Sequence, residues 1–341
     1  MNGAQLRTTV LGFLGTFAIL GLLLYFVGVE DFLREIRRAD TGTVALIVVV
    51  TLGWLAAWGF GLRTVLDVLG VDVSFAQSFF ILNGAMFSNK VTPFGQAGGE
   101  PITALLISKV ADTEYERGLA AIASVDSLNF VPSIVLALAG AAFYATQTSF
   151  GRRLRIATAA IVVLSIAVPV LAFVGWRKRS GIRQAIARLL APIFARLGGV
   201  VPIEVSLTRE DIEGRIGHFF DSIERVATNR RGLTLALGAS TAGWMFQMVA
   251  LWLAFLAIGS PIPFSVLLFV VPVGAIAGVT PLPGGAGGIE AVLVGLLSSL
   301  PGVAIGWETA LAAVVLFRGA IYWVPVVIGG GVVSVIGVDS V

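Results

Sequence analysis

Apolar residues form six long runs along the chain, at 10–28, 43–62, 118–145, 154–176, 232–258 and 309–336. A membrane-spanning helix needs about 20 such residues, so each run predicts a full span. Two further apolar regions, 75–110 and 264–299, are interrupted near their middles. The interruptions use nearly the same words: "TPFGQAGGEP" at 92–101 and "TPLPGGAGGIEA" at 280–291. Each joins Thr-Pro to a glycine-rich step, Gly-Gly and a lone glutamate, Glu100 or Glu290. The arms after the breaks, 100–110 and 290–300, reach about 16 Å, roughly half the hydrocarbon core. A half-length helix after a Pro/Gly break predicts a re-entrant hairpin, tolerated where the open backbone is buried in protein or lines a cavity.

Both halves then read span, span, hairpin, span, over 1–150 and 151–341. With a cytoplasmic N-terminus and hairpins that return to their own side, every element of the second half runs opposite to its counterpart. The expectation is an all-α polytopic membrane protein built as an inverted repeat, with its site near the midplane. A rival arrangement has an external N-terminus, lets each broken segment cross once, and gives parallel repeats. The short later arms favour the hairpins, which leave both termini cytoplasmic.

Polar residues gather in the linker 177–231, which is rich in arginine. The positive-inside rule places it in the cytoplasm. Its stretches "IRQAIARLLAPIFARL" and "IEGRIGHFFDSIERV" have helical spacing and predict helices along the membrane surface.

Composition agrees with a membrane protein: 57% hydrophobic residues, 13% charged and a mean hydropathy of +0.95, against about 25% charged in soluble domains. The net charge of +3 records topology rather than a nucleic-acid partner. The absence of cysteine rules out disulfides and thiolate metal sites, and the single histidine, His218, makes no zinc cluster or Ser-His-Asp arrangement. No Gly-Lys-Ser/Thr follows the glycines and no strand precedes them, so no nucleotide or other cofactor is expected. The run 10–28 ends in "VGVEDF" without a small-residue cleavage site, and it is expected to be retained as the first span.

Gly-Gly before a half-helix permits unusual backbone and leaves the first N–H groups bare, a ready anion site. Gly98, Gly99, Gly287 and Gly288 are therefore candidates, with Glu100 and Glu290 in the first helical turns; the plainer alternative is close packing and capping. Lys90, Asp126 and Arg318 are charges within apolar segments, which are functional candidates by default. Asp126 and Arg318 lie 26 and 28 residues past their glutamates, so they occupy corresponding places and are candidates to pair across the two halves. In the functional reading Arg318 and Lys90 hold phosphate, while Asp126, Glu100 or Glu290 hold the cations in its absence; Arg presents a planar fork suited to two oxygens. Asn83, Ser88, Asn89, Gln96 and Asn129 are candidates to line a polar cavity, although helix-to-helix bonding explains most such residues. The seven tryptophans read as interfacial or packing residues.

"TPFGQAGGEP", "TPLPGGAGGIEA" and "FRGAIYWVP" (317–325) together resemble the signatures of the lysylphosphatidylglycerol synthase membrane-domain family, also called flippase-like membrane proteins. The resemblance covers essentially the whole chain. By position it points to Gly98, Gly99, Glu100, Gly287, Gly288, Glu290, Arg318 and Tyr322. It implies movement of a lipid between leaflets, and for some relatives a link to polyprenyl-linked sugars. One departure stands out: members often carry an arginine near "SVDSLNF", where this chain has Asp126. Without a synthase domain, aminoacyl transfer is not implied. The expected function is a multi-pass cell-membrane flippase for a phospholipid or polyprenyl-phosphate-linked headgroup, and not an enzyme. An intramembrane lipid-modifying enzyme, or a partner subunit of a glycosyltransferase or lipid synthase, are the alternatives.

Overall fold

The computed structural model describes residues 29–91, 96–145, 209–279, 282–300 and 305–336, with single positions outside these ranges. The expected spans 10–28 and 154–176, the stretch "IRQAIARLLAPIFARL" and both termini lie essentially outside the described residues. Among the described residues the chain is all α-helical, without strands.

The first half contains α1 (Val29–Arg38), α2 (Thr41–Val68), α3 (Phe75–Val91), α4 (Gln96–Val110) and α5 (Tyr115–Ala145). The second contains α6 (Arg209–Thr228), α7 (Arg230–Ala257), α8 (Phe264–Ile276), α9 (Gly288–Leu297) and α10 (Trp307–Ile336). Helices α2, α5, α7 and α10 are long and apolar enough to cross a membrane. They extend beyond the apolar runs that predict them; α2, at 28 residues, reaches about 42 Å. The short helix α1 has no counterpart among the sequence-based expectations.

Polar caps start the two central spans. The Asp40 carboxylate accepts from the Thr43 backbone N–H at 2.7 Å, and the Asn229 side chain accepts from Gly232 N–H at 2.9 Å. Each side-chain oxygen satisfies a donor that the first helical turn leaves open.

The packing is reciprocal. Among the described residues, helices α2 and α7 make the most extensive contact. Hairpin helix α3 lies on α10, the last span of the other half, and hairpin helix α8 lies on α5. Both crossings use a glycine. A Cβ on Gly140 of α5 would lie 2.7 Å from the Phe269 backbone N in α8, and a Cβ on Gly329 of α10 would meet the Asn83 carbonyl in α3. Gly140 and Gly329 stand 40 and 39 residues past Glu100 and Glu290. Lipid supplies little hydrophobic force between helices, so close backbone approach at small residues carries such contacts.

Leu251, Phe255, Leu267 and Phe269 are fully buried in one apolar core, and Leu62, Leu66, Ile81 and Ile107 in a second. At the α2–α7 contact the Trp58 and Trp244 rings meet edge to face at 6.1 Å. Trp58 donates to the Ser240 carbonyl at 3.4 Å and Trp244 to the Asn129 carbonyl at 2.9 Å. These two tryptophans pack and bond inside the bundle, whereas Trp307 and Trp323 face outward.

Candidate functional site

The second break is built from glycines in left-handed backbone. Gly284, Gly285 and Gly287 have φ of 58°, 64° and 86°, a region in which a Cβ is strongly disfavoured. These turns end at Gly287, the residue before α9, and bring Glu290 into its first turn. The Glu290 side chain folds back and accepts from the Gly287 N–H at 2.6 Å. For this one donor the capping alternative describes the geometry: the chain's own carboxylate takes the Gly287 N–H.

The other Glu290 oxygen accepts from Arg318 Nε at 2.9 Å, and both side chains are buried. Arg318 Nη2 donates to the Gly284 carbonyl at 3.2 Å. The expected pairing of Arg318 with Asp126 across the halves is corrected too. Helix α9 packs on α10 and α4 on α5, so each glutamate meets the charged residue of its own following span. Glu290 meets Arg318, and the Glu100 carboxyl lies beside that of Asp126. One Asp126 oxygen, Oδ2, is enclosed without a further partner.

The two halves meet at Tyr322. Its hydroxyl donates to the Lys90 carbonyl at 3.3 Å. The Lys90 ammonium lies 4.7 Å from the ring centroid, and the Arg318 guanidinium carbon 5.9 Å from it. Cations are attracted to the electron-rich ring face at such distances. Gly284 belongs to the same contact: a Cβ there would lie 2.8 Å from the Tyr322 ring and 3.2 Å from the Lys90 side chain. Among the described residues, no carboxylate stands within ion-pair distance of Lys90. The result is a compact group of two cations, one carboxylate and a tyrosine, assembled from α3, the second break, α9 and α10.

The model of one family, the lysylphosphatidylglycerol synthase TM region, matches residues 9–329. The chain belongs to this family. It is 30% identical over 332 residues to a UPF0104 membrane protein of Methanothermobacter thermautotrophicus, covering 95% of this chain and 92% of the relative. It is 26% identical over 317 residues to UPF0104 membrane protein PH1989 of Pyrococcus horikoshii, covering 91% of each. It is also 26% identical over 365 residues to Glycosyltransferase AglD of Haloferax volcanii, covering 97% of this chain and 54% of that relative.

Of the residues to which the resemblance to the lysylphosphatidylglycerol synthase family points, Gly287, Glu290, Arg318 and Tyr322 come together in this group, and Gly288 opens α9 beside them. Gly98, Gly99 and Glu100 do not join it. Helix α4 begins at Gln96, so these glycines stand inside the helix rather than before it. A Cβ on Gly99 would run into the side chain and backbone N of Asn89 in α3; here the glycine serves the packing of the hairpin's two arms. The Gln96 and Gly98 contacts lie outside the described residues.

Two of the five candidate cavity polars turn to their own helices. Asn83 donates to the Phe79 carbonyl and Ser88 to the Gly84 carbonyl, as polar side chains in membrane helices often do. Asn129 lines a small cavity with Trp58 and Ser240. Asn89 Oδ1 is enclosed without a partner. Sequence reasoning missed Gly284. Its signal is the second glycine pair in "PGGAGG", which "FGQAGG" lacks.

Proposed function

We propose that this membrane protein moves an anionic lipid headgroup between leaflets, with the phosphate held at Lys90, Arg318 and Tyr322. The observation that carries this reading is the convergence of Lys90 with Arg318, Tyr322 and Gly284, groups drawn from both halves of the chain. Charges inside membrane segments are costly and mark substrate pathways. A Lys ammonium without a carboxylate partner, beside an arginine, is chemistry suited to phosphate oxygens.

In this reading the two halves are repeats of inverted topology, and the headgroup crosses near the midplane while its tails remain in lipid. The reciprocal α3–α10 and α8–α5 packing supports a two-repeat organisation. The cargo is a phospholipid or a polyprenyl-phosphate-linked headgroup, and the protein binds and releases it unmodified, in the cell membrane. The contact between Glu100 and Asp126 supports a second role for the first hairpin. Neighbouring carboxyl groups are most favourable with a proton between them, and in this reading the pair takes up and releases one during the transport cycle.

The test is leaflet exchange of fluorescent phosphatidylglycerol in reconstituted vesicles. Wild-type protein should accelerate exchange over empty vesicles, and Lys90→Met should slow it at least about tenfold, the scale of one lost charge contact. Equal rates for Lys90→Met and wild type, in folded protein, would remove the reading. Reporter fusions at Met1 and Val341 test the topology; an external N-terminus would favour parallel repeats.

A second reading has its own support in the similarity to Glycosyltransferase AglD. Here the chain is the membrane partner of a glycosyltransferase. Copurification of such an enzyme, with normal glycosylation in Lys90→Met cells, would favour it.

A further inference from the structure

Building on the proposed anion site, we infer that Glu290 sets its charge selectivity, so that the site takes a singly charged phosphodiester in preference to a doubly charged phosphomonoester. Three ionic groups define the site. Lys90 and Arg318 are positive and Glu290 is negative. The charged groups close enough to act on Lys90 are these same two, Arg318 and Glu290. Glu100 of the other hairpin lies beside Asp126 of α5.

Glu290 is a fixed part of this arrangement, not a loose counter-ion. One oxygen accepts from Arg318 Nε at 2.9 Å and the other from Gly287 N–H at 2.6 Å. Both bonds are charge-assisted and the carboxylate is buried. A headgroup that displaced it would have to replace both donors at once. With Glu290 in place, Arg318 is matched and one positive charge, at Lys90, is left over. Among the described residues, Lys90 Nζ and Arg318 Nη1 make no hydrogen bond to the chain, while Arg318 Nε and one N–H of Nη2 are engaged.

A phosphodiester carries one negative charge and neutralises that surplus. A phosphomonoester carries about −1.5 to −2 near neutral pH. Its second charge would be buried with no cation and beside the Glu290 carboxylate, which is unfavourable at low dielectric. Among lipids the rule favours phosphatidylglycerol over phosphatidic acid, and a sugar-linked polyprenyl phosphate over the bare polyprenyl phosphate.

The experiment is competition against fluorescent phosphatidylglycerol on the full chain in detergent at pH 8, where the monoester holds both charges. Competitors are unlabelled phosphatidylglycerol, phosphatidic acid and the tail-free diester glycerophosphoglycerol. Wild type should prefer phosphatidylglycerol to phosphatidic acid by about tenfold, the scale of one partly screened charge contact. Glu290→Gln keeps the shape and an acceptor for one of Gly287 and Arg318, turns an amide NH2 toward the other, and removes the negative charge. It should shift the ratio toward phosphatidic acid by about tenfold or more.

An unchanged ratio in Glu290→Gln that melts like wild type would overturn the selectivity rule while leaving the anion site intact. Loss of competition by Lys90→Met for both lipids supports that site. Binding of both lipids unaffected by Lys90→Met would overturn the site and the rule together. Glycerophosphoglycerol competing as well as the lipid would keep the rule and assign a soluble diester as the occupant. Weak competition by it would assign the lipid.

Discussion

The two hairpins carry nearly the same motif but solve the charge of their glutamates differently. In the second hairpin Glu290 faces Arg318, an opposite charge on the following span, and also caps α9. In the first, Glu100 faces Asp126 at the corresponding place. One pair is closed: every oxygen of its carboxylate has a donor from the chain. The other sets two acids side by side, and Asp126 Oδ2 has no hydrogen-bond partner among the described residues. Nearly the same motif thus carries two electrostatic arrangements, an acid paired with a cation and an acid beside a second acid. The backbones diverge as well. The second break relies on left-handed Gly284, Gly285 and Gly287, while Gly99 of the first continues a helix and lets its arms touch.

Arg318→Ala against Asp126→Ala should break this comparison most visibly. The first leaves Glu290 buried without its cation and should cost about 3–5 kcal/mol. The second removes a like-charge neighbour and should leave the melting temperature unchanged or raised. Equal losses in thermal melts would show that the hairpins are electrostatically alike. Arg318→Leu with Glu290→Leu should restore much of the stability while lipid exchange stays lost.

The helix crossings should respond as equals. Gly140→Val and Gly329→Val each place a branched side chain against a hairpin backbone. Each should cost about 1–3 kcal/mol by overpacking, read as a fall in melting temperature. A loss confined to one variant would show that the reciprocity of the packing is geometric only.

The smallest effect concerns the two central spans. Asp40 caps α2 and Asn229 caps α7. The Thr43 hydroxyl, followed by its N–H, holds the Asp40 carboxyl below its ordinary value. A depressed carboxyl contributes stability above its unfolded value, and that contribution is lost as pH falls through the folded value. Asp40→Asn should therefore flatten a small decline in stability on the acid side of pH 4. An unchanged pH profile would show that the cap does not report folding.

Much of the fold was legible because lipid imposes a simple rule on sequence. Runs of apolar residues long enough to span gave α2, α5, α7 and α10, and the broken runs gave the two helix pairs. The positions of Asp126 and Arg318 relative to their glutamates were also legible. Their partners were not: equal spacing fixes where a residue stands, whereas pairing depends on which helices pack. The start of α4 was misread because Gly-Gly is a helix breaker in isolation, at about 1 kcal/mol each. At Gly99 the close approach of α3 offsets that cost. The contact of Lys90 with Tyr322 spans 232 residues, beyond the reach of any local pattern.

The exchanged packing of hairpins and last spans has a consequence for synthesis. Helix α3 leaves the ribosome long before α10, on which it lies. Between Val91 and Trp307 the ribosome adds residues for about 10–40 s at 5–20 residues per second. Through that interval the first hairpin has α2 beside it but lacks α10 and the tyrosine that stands over Lys90. Half of the protein must wait in the membrane with a short, charged hairpin uncovered. Until α10 arrives, the face of α3 that it covers is open to whatever stands beside the nascent chain.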